Sequence, residues 1–516
     1  MGTRRHRERL DDTKTTATPR KRESSAHPTL LDCINDRQLF KPWFKDQNTW
    51  ISWFAFIAAL FSLPMTAKQL AIYRKCTGRN EPPSEPAKEG WLICGRRAGK
   101  SFVLALCAVF LACFHDYRQY LTPGERGTVF VIATDRKQAR TILRYIRALL
   151  TRVKLLSQMV EREWQEGFDL NNSVTIEVAT ASFKSTRGFT LVAVLLDEVA
   201  FFATEDSSSP DEEILRALRP GLLTIPNSMI LAASSPYAKK GVLFNAYREH
   251  YGKEHDPSLV WKAPTLVMNP NVPEEEIAKE YENDPVSAAA EYGAEFRSDV
   301  ETFIAREAVE AVTSEERERP YLAGFKYHAF TDLAGGGSGK DSATLAIGHV
   351  ENGISVLDVI REVKPSFSPR DVVDQFSALL KSYSITEVKG DRYAGEWPRE
   401  QFLERGIKYD PAVNPKSIIY GEFLPLMMSR KCDLLDHPKL LNQLCGLERR
   451  TARSGKDSID HAPNGHDDIA NAVAGVLTSM GIRKYRYVAD LSWVGGPSES
   501  SPAAQRLSGF LTSRGL

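Results

Sequence analysis

The chain is short of most features that would assign it quickly. Across 516 residues the formal net charge at pH 7 is only +1. Whole-molecule electrostatics therefore point to no partner, and any nucleic-acid surface has to be local. Only seven cysteines are present, at 33, 76, 94, 107, 113, 432 and 445, and none forms a CxxC pair. An odd count without metal-ligand spacing argues against a disulfide framework and for reduced, mostly buried thiols in a cytosol. Two apolar runs, Trp50–Leu63 and Phe102–Phe114, each fall short of the roughly 20 residues a membrane span requires. The first also starts too far into the chain for a secretory signal. There is no membrane segment in this reading, and no internal repeat.

What is present is an ordinary globular balance, 42% hydrophobic and 26% charged, in a chain long enough for two or three domains. Strand-like and helical stretches alternate over about two hundred residues. Gly127–Ala133, Asn172–Ala179, Leu191–Leu196 and Ser228–Ala233 read as strands, the second of them half-buried, and Arg136–Leu150 as a basic amphipathic helix. Strands separated by helices imply an α/β fold with a mainly parallel, doubly wound sheet. Ligands in such sheets sit at the carboxyl ends of the strands. A second alternating region begins at Tyr327, with strands at 327–332, 342–350 and 353–362, a helix near 369–381, a strand at 385–390, and then mostly helix to 480.

The first strand end carries Gly95-Arg96-Arg97-Ala98-Gly99-Lys100-Ser101, between the apolar run Trp91–Cys94 and an apolar helix. Glycines let backbone N–H groups close around phosphate oxygens, and the helix N-terminus adds partial positive charge. Lys100 suits the β/γ-phosphates and the Ser101 hydroxyl suits Mg²⁺. Cys94 occupies the place where the usual spelling has its first glycine. About a hundred residues on, the apolar strand from Leu191 ends in Asp197-Glu198. Asp197 is placed for the Mg²⁺ shell and Glu198 for polarising the attacking water. Ser228–Ala233 runs into Ser234-Ser235-Pro236, where either serine can sense a γ-phosphate. Arginines that can stabilise phosphoryl transfer are Arg96 and Arg97 in the loop, and Arg187 before the acidic strand.

The C-terminal region offers three acidic stations: Asp332 at one strand end, Asp391 at another, and Asp467-Asp468 opening a helix. Carboxylates in the order strand, strand, helix can converge on a two-metal site for Mg²⁺ or Mn²⁺. His466 and Asp341 are secondary candidates beside it.

In this order and spacing, Gly-Arg-Arg-Ala-Gly-Lys-Ser, Leu-Leu-Asp-Glu, Ala-Ser-Ser-Pro, Asp332, Asp391 and Gly-His-Asp-Asp resemble the large subunit of tailed-bacteriophage terminases over roughly residues 40–480. The missing first glycine is typical of that family. The resemblance implies a P-loop ATPase of the additional-strand type followed by a ribonuclease-H-like α/β nuclease. It implies ATP and Mg²⁺ held by residues 95–101 and Asp197, a coupling role for Ser234, Ser235 and Pro236, and an adenine contact from a glutamine, for which Gln69 is the candidate. Arg187 would act on the neighbouring subunit, with Arg96 as the in-loop alternative. Two Mg²⁺ or Mn²⁺ ions would sit on Asp332, Asp391 and Asp467 or Asp468.

The implied partners are double-stranded DNA, a small terminase subunit, the portal protein and further copies in a ring, commonly pentameric. The implied location is the cytoplasm of an infected bacterium, docked transiently on the procapsid portal and absent from the mature virion. The domain boundaries expected are a disordered basic arm at 1–37, the ATPase at 38–300, a linker at 301–326, the nuclease at 327–482 and a flexible tail at 483–516. Rival readings are a helicase–nuclease of DNA repair, which would need a second motor lobe, and a non-catalytic DNA-binding scaffold, which would not need the acidic stations.

Overall fold

The computed structural model describes residues 28–181, 188–204, 207, 209–333, 341–391, 397–451 and 457–480. Its first sheet has eight strands: β1 (Glu89–Cys94), β2 (Gly127–Ala133), β3 (Val160–Trp164), β4 (Gly167–Leu170), β5 (Val174–Thr180), β6 (Thr190–Asp197), β7 (Met229–Ser234) and β8 (Ser258–Ala263). Their order is β3-β4-β5-β2-β6-β7-β1-β8, parallel from β5 to β8 with an antiparallel β3–β4 edge. The strand after the acidic one, β7, is inserted between the loop-bearing β1 and β6. This is the additional-strand arrangement, and it puts the ends of β1, β7 and β6 side by side.

Every residue of β2 is buried, as is nearly all of β6 and β7, because helices cover both faces. One face packs on the helices Ile51–Leu60, Lys100–Cys113 and Arg136–Arg152; the other packs on Pro210–Leu218 and Gly241–His250. β5 is more buried than its alternating sequence suggests, since it lies between β2 and β4 rather than at an edge. The β3–β4 hairpin escapes sequence reading because Glu161, Arg162 and Glu163 are all exposed and show no two-residue period.

The next strand, β9 (Val300–Thr302), leaves the first sheet. It is followed by β10 (Tyr327–Asp332), β11 (Ala343–Glu351), β12 (Ile354–Val363), β13 (Glu387–Gly390), β14 (Lys408–Pro411) and β15 (Cys432–Asp433). These six form a second sheet in the order β14-β13-β10-β11-β12-β15. β10 is antiparallel to β11 and parallel to β13, and β11 is antiparallel to β12, which is the ribonuclease-H-like topology. Two further strands, β16 (Leu447–Thr451) and β17 (Asp457–His461), pair as a hairpin, and β16 also pairs with β9 in a separate three-stranded sheet.

The expectation of mostly helix from 390 to 480 is therefore corrected: β14, β15, β16 and β17 interrupt the helices Trp397–Glu404, Lys416–Met428, Pro438–Cys445 and Asp468–Ser479. These strands are two to five residues long and rich in charge, so they show no period of two. The segment 301–326, expected as a linker, contributes Phe303, Ile304, Val309 and Val312 to the core beneath the second sheet.

The helix Asp468–Ser479 packs closely on β10. A β-carbon at Gly475 would lie 2.5 Å from the Phe330 ring, two residues before Asp332. Only the missing side chain permits this approach, and the approach carries Asp468 toward the strand end. No helix among the described residues is long and apolar enough to cross a membrane. Replacing Gly475 with Ala overpacks this contact, with an expected loss of about 1–3 kcal/mol in chemical unfolding; an unchanged midpoint would show that the helix rides farther from β10.

Candidate functional site

At the end of β1 the chain turns through residues 95–99 into the helix Lys100–Cys113. Its N-cap is Gly99, at φ +102°, which has no side chain to occupy the first N–H groups of the helix. Those groups and the helix dipole are thus left for an anion. The loop is braced from outside. The Trp53 indole donates to the Ala98 carbonyl at 2.9 Å, the Thr265 hydroxyl to the Arg96 carbonyl at 2.8 Å, and the Asn269 amide to the Arg97 carbonyl at 2.8 Å. A β-carbon at Gly95 would run into the Thr265 hydroxyl and the carbonyls of Tyr292 and Glu291, so this glycine is required by close approach.

Lys100 is buried. Its ammonium donates to the carbonyls of Cys94 (3.0 Å) and Gly95 (3.1 Å) and lies 3.3 Å from Glu198. Arg96 pairs with Glu291 of the same chain, and Arg97 is exposed with φ +62°. Arg187 lies outside the described residues. The Gln69 side chain accepts from the Thr66 N–H and hydroxyl and so completes the N-terminal cap of the helix Ala67–Thr77.

Asp197 closes β6 with no exposure to solvent. Its Oδ2 accepts from the Ser101 hydroxyl at 2.8 Å and from the Gln138 amide at 2.5 Å, while its Oδ1 has no hydrogen-bond partner. Burial and the neighbouring Glu198 push its carboxyl up to about 6, against the lowering effect of Gln138, Ser101 and Lys100. A buried carboxylate with an unpartnered oxygen beside a hydroxyl is a donor set that fits Mg²⁺.

Glu198 follows at φ +55°, a left-handed conformation that is costly for a non-glycine residue and recurs at functional positions. Its Oε2 accepts from the Ser234 hydroxyl (3.1 Å) and the Ser235 N–H (3.2 Å). The two serines of Ser234-Ser235-Pro236 therefore both hold the carboxylate proposed to act on water.

The second cluster forms where β10, β13 and the helix Asp468–Ser479 meet. Asp332 accepts from the Asn471 amide at 2.6 Å. Its carboxyl is pushed up to about 7 by burial, by Asp391, and then by Asp468 and Asp467, with Asn471 opposing. Asp391 follows β13, its N–H donating to Thr331 on β10. Asp468 accepts from the Ser342 N–H at 3.0 Å, and burial raises its pKa. Asp467 gives one oxygen to the Tyr420 hydroxyl at 2.8 Å and meets the Lys416 ammonium at 3.0 Å.

The structure thus brings Asp332, Asp391, Asp467 and Asp468 together. An all-oxygen set whose Asp332 is raised chiefly by burial and further by its neighbouring aspartates fits hard divalent cations. His466 lies 3.4 Å from Asp341, and with Asp468 these two could form a further ligand group at the rim.

Sequence reasoning missed Gln138, Trp53, Thr265, Asn269, Lys416, Tyr420 and Asn471. Gln138 had a usable signal: it sits in the first turn after the carboxyl end of β2, where ligands of such sheets gather. Asn471 is one turn beyond Asp467 on the same helix face. The others approach from distant segments and leave no local trace.

The pKa shift of Asp332 makes a stability statement. Between its ordinary 3.8 and about 7 the folded chain holds a proton that the unfolded chain has released. The metal-free protein therefore loses stability as pH rises through that window. Asp332→Asn should remove this loss, so the variant gains stability over wild type at pH 8 in EDTA and gains little at pH 4. Equal pH slopes in thermal unfolding would refute the buried placement of this carboxyl.

No curated protein matches the chain. Among solved structures, it is similar to the HK97 bacteriophage large terminase, at 16% identity and a TM-score of 0.34, covering 76% of this chain and 91% of that one. It is also similar to the Thermus phage P74-26 large terminase ATPase domain, at 20% identity and 0.33, covering 46% and 97%. A third is the large terminase nuclease from thermophilic phage G20c with bound magnesium, at 18% and 0.30, covering 33% and 94%. Scores this low add nothing to the chemical argument, which stands on the residues. Residues 28–294, just over half of the chain, match the family described as "Uncharacterized protein MJ0330, N-terminal P-loop domain", and the chain belongs to that family.

Proposed function

We propose that this protein is a terminase large subunit: an ATP-driven translocase of double-stranded DNA joined to a metal-dependent endonuclease. The observation that carries the reading is the pair of acidic centres in one chain. Asp197 and Glu198 stand against a phosphate loop, and Asp332, Asp391, Asp467 and Asp468 gather at the end of a ribonuclease-H-like sheet.

In the first centre, residues 95–101 cradle the ATP phosphates through backbone N–H groups, and Lys100 is the buried cation within the loop. Ser101 and Asp197 would hold Mg²⁺, which neutralises charge developing on the phosphates when bound. Glu198 orients the attacking water and takes up its proton. Ser234 and Ser235 fix Glu198 and so register whether the site has reacted. Arg187, or Arg96 once released from Glu291, supplies positive charge to the transition state.

In the second centre, Asp332, Asp391 and Asp468 would hold Mg²⁺ or Mn²⁺ ions, which when bound would supply charge stabilisation for phosphodiester cleavage. Asp468 is the better inner ligand because Asp467 is already engaged by Lys416 and Tyr420. A motor of this kind grips phosphates without reading bases, which suits packaging of viral DNA into a procapsid. The partners would be a small terminase subunit, the portal and further copies in a ring, in the cytoplasm of an infected bacterium. The boundaries 38–300 for the ATPase and 327–482 for the nuclease remain part of this proposal.

The two activities should separate by mutation. Glu198→Gln should lower ATP turnover at least about a hundredfold while DNA nicking persists. Asp391→Ala should abolish Mn²⁺-dependent nicking while ATPase persists. ATP turnover unaffected by Glu198→Gln, or nicking unaffected by Asp391→Ala, would sink the corresponding assignment. If Arg187 acts across subunits, mixing Arg187→Ala with Glu198→Gln chains should restore part of the ATPase activity that each lacks alone; the absence of any rescue at ring-forming concentration counts against it.

A further inference from the structure

Glu448 is a carboxylate that neither centre uses, yet it is fully buried, on β16. The Tyr237 hydroxyl donates to its Oε2 at 2.6 Å, the Lys240 ammonium lies 2.7 Å from its Oε1, and Arg450 is at 3.4 Å. A buried charge is tolerable only with such partners, and removing one leaves an uncompensated charge.

Both principal partners come from the short segment that follows Ser234-Ser235-Pro236, the run that holds Glu198. Tyr237 is fixed from several sides: its carbonyl accepts from the Arg297 N–H at 2.8 Å, and the Phe201 ring stands 5.6 Å away. On its other side, Glu448 faces Asp460 across the β16–β17 ladder. Asp460 holds Lys416 at 2.7 Å, and Lys416 reaches Asp467 at 3.0 Å. An unbroken series of hydrogen bonds, ion pairs and one strand register thus leads from the glutamate of the phosphate site to an aspartate of the metal centre.

We propose that the Tyr237–Glu448 contact transmits the nucleotide state of the phosphate site to the metal centre, with Glu448 a positioning residue for DNA cleavage. The proposal rests on the two-activity reading above. Its physical basis is that Glu198 divides its carboxylate between Lys100 and the two serines. A bound nucleotide competes for Lys100, so the share taken by the serines changes and the end of β7 shifts with it. Pro236 stiffens the step to Tyr237. Glu448, itself fully buried, cannot lag behind without losing the half-buried Tyr237 and the exposed Lys240 that pair with it, so the hairpin moves with the segment and carries Asp460 and Lys416. Small displacements at packed, fully paired contacts pass on as discrete rearrangements. A coupling of ordinary size would change cleavage about fivefold or more.

The test uses the full chain, with and without a non-hydrolysable ATP analogue, and two readouts: Mn²⁺-dependent cleavage of plasmid DNA, and amide hydrogen exchange over residues 447–461. In wild type the analogue should change both. Tyr237→Phe, which removes one hydroxyl, should keep ATP turnover and nucleotide-free cleavage but lose both responses. Glu448→Gln, which keeps the shape and removes the charge, should weaken them.

Exchange over the hairpin that ignores the analogue in wild type, or responds equally in Tyr237→Phe and Glu448→Gln, overturns the coupling. The exchange readout needs nucleotide binding and no cleavage. Loss of cleavage in every sample with the hairpin response intact would therefore refute the nuclease reading and leave the contact standing.

Discussion

The arrangement of the first unit depends on one buried carboxylate. Asp197 sits at the end of β6 with one oxygen held by Ser101 and Gln138 and the other facing no protein donor. Burying a charge in this way is unfavourable in isolation, and its raised pKa expresses that cost. A protein core keeps such a group where a cation or a proton will satisfy it. Three strand ends supply the neighbours: β1 gives Lys100 and Ser101, β2 leads to Gln138, and β7 gives the serines that hold Glu198. Inserting β7 between β1 and β6 lets the serines touch the glutamate while Lys100 still reaches it. The sheet order and the chemistry are in this sense one fact.

The second centre applies the same physics with more charge. Two strand ends and a helix N-terminus gather four aspartates, and burial, with the neighbouring carboxylates adding to it, lifts the Asp332 carboxyl to about 7. The protein offsets part of the repulsion itself. Asn471 donates to Asp332, the Ser342 N–H to Asp468, and Lys416 with Tyr420 neutralises Asp467. These partners give the adjacent Asp467 and Asp468 unlike surroundings, a lysine and a tyrosine at the first and a backbone N–H at the second. Two consecutive aspartates in a sequence carry no such distinction, because it is made by a lysine some fifty positions away.

Legibility followed range. The strands β1, β6 and β7 were readable because each is a nearly continuous apolar run covered on both faces, and the residues at strand ends drew attention because ligands of such sheets gather there. Asp197, Glu198, Lys100, Asp332 and Asp391 all belong to this class. The strands β3, β14, β15, β16 and β17 were not readable, since they are short, charged and paired at edges or in a separate small sheet. The braces of the phosphate loop were likewise hidden. Trp53 reads as one more aromatic in an apolar helix until its indole is found on the Ala98 carbonyl. Gln69, placed by resemblance near a nucleotide, caps its own helix, a second role that the resemblance does not carry. Side chains that serve long-range contacts leave no period or spacing to detect.

The β16–β17 hairpin illustrates why that hidden class matters. It pairs through β9 with the chain leaving the first unit, buries Glu448 against Tyr237 and Lys240, and holds Asp460 on Lys416. A surface ion pair between two units would be worth little and would yield to thermal motion. A fully buried carboxylate held by a tyrosine and a lysine from the opposite unit behaves differently, because withdrawing those partners while it stays buried leaves its charge uncompensated. The contact therefore resists partial opening and favours a small number of definite arrangements. That property, rather than its contribution to stability, is what would suit it to the proposed link between Glu198, whose carboxylate has two sets of partners, and the aspartate cluster.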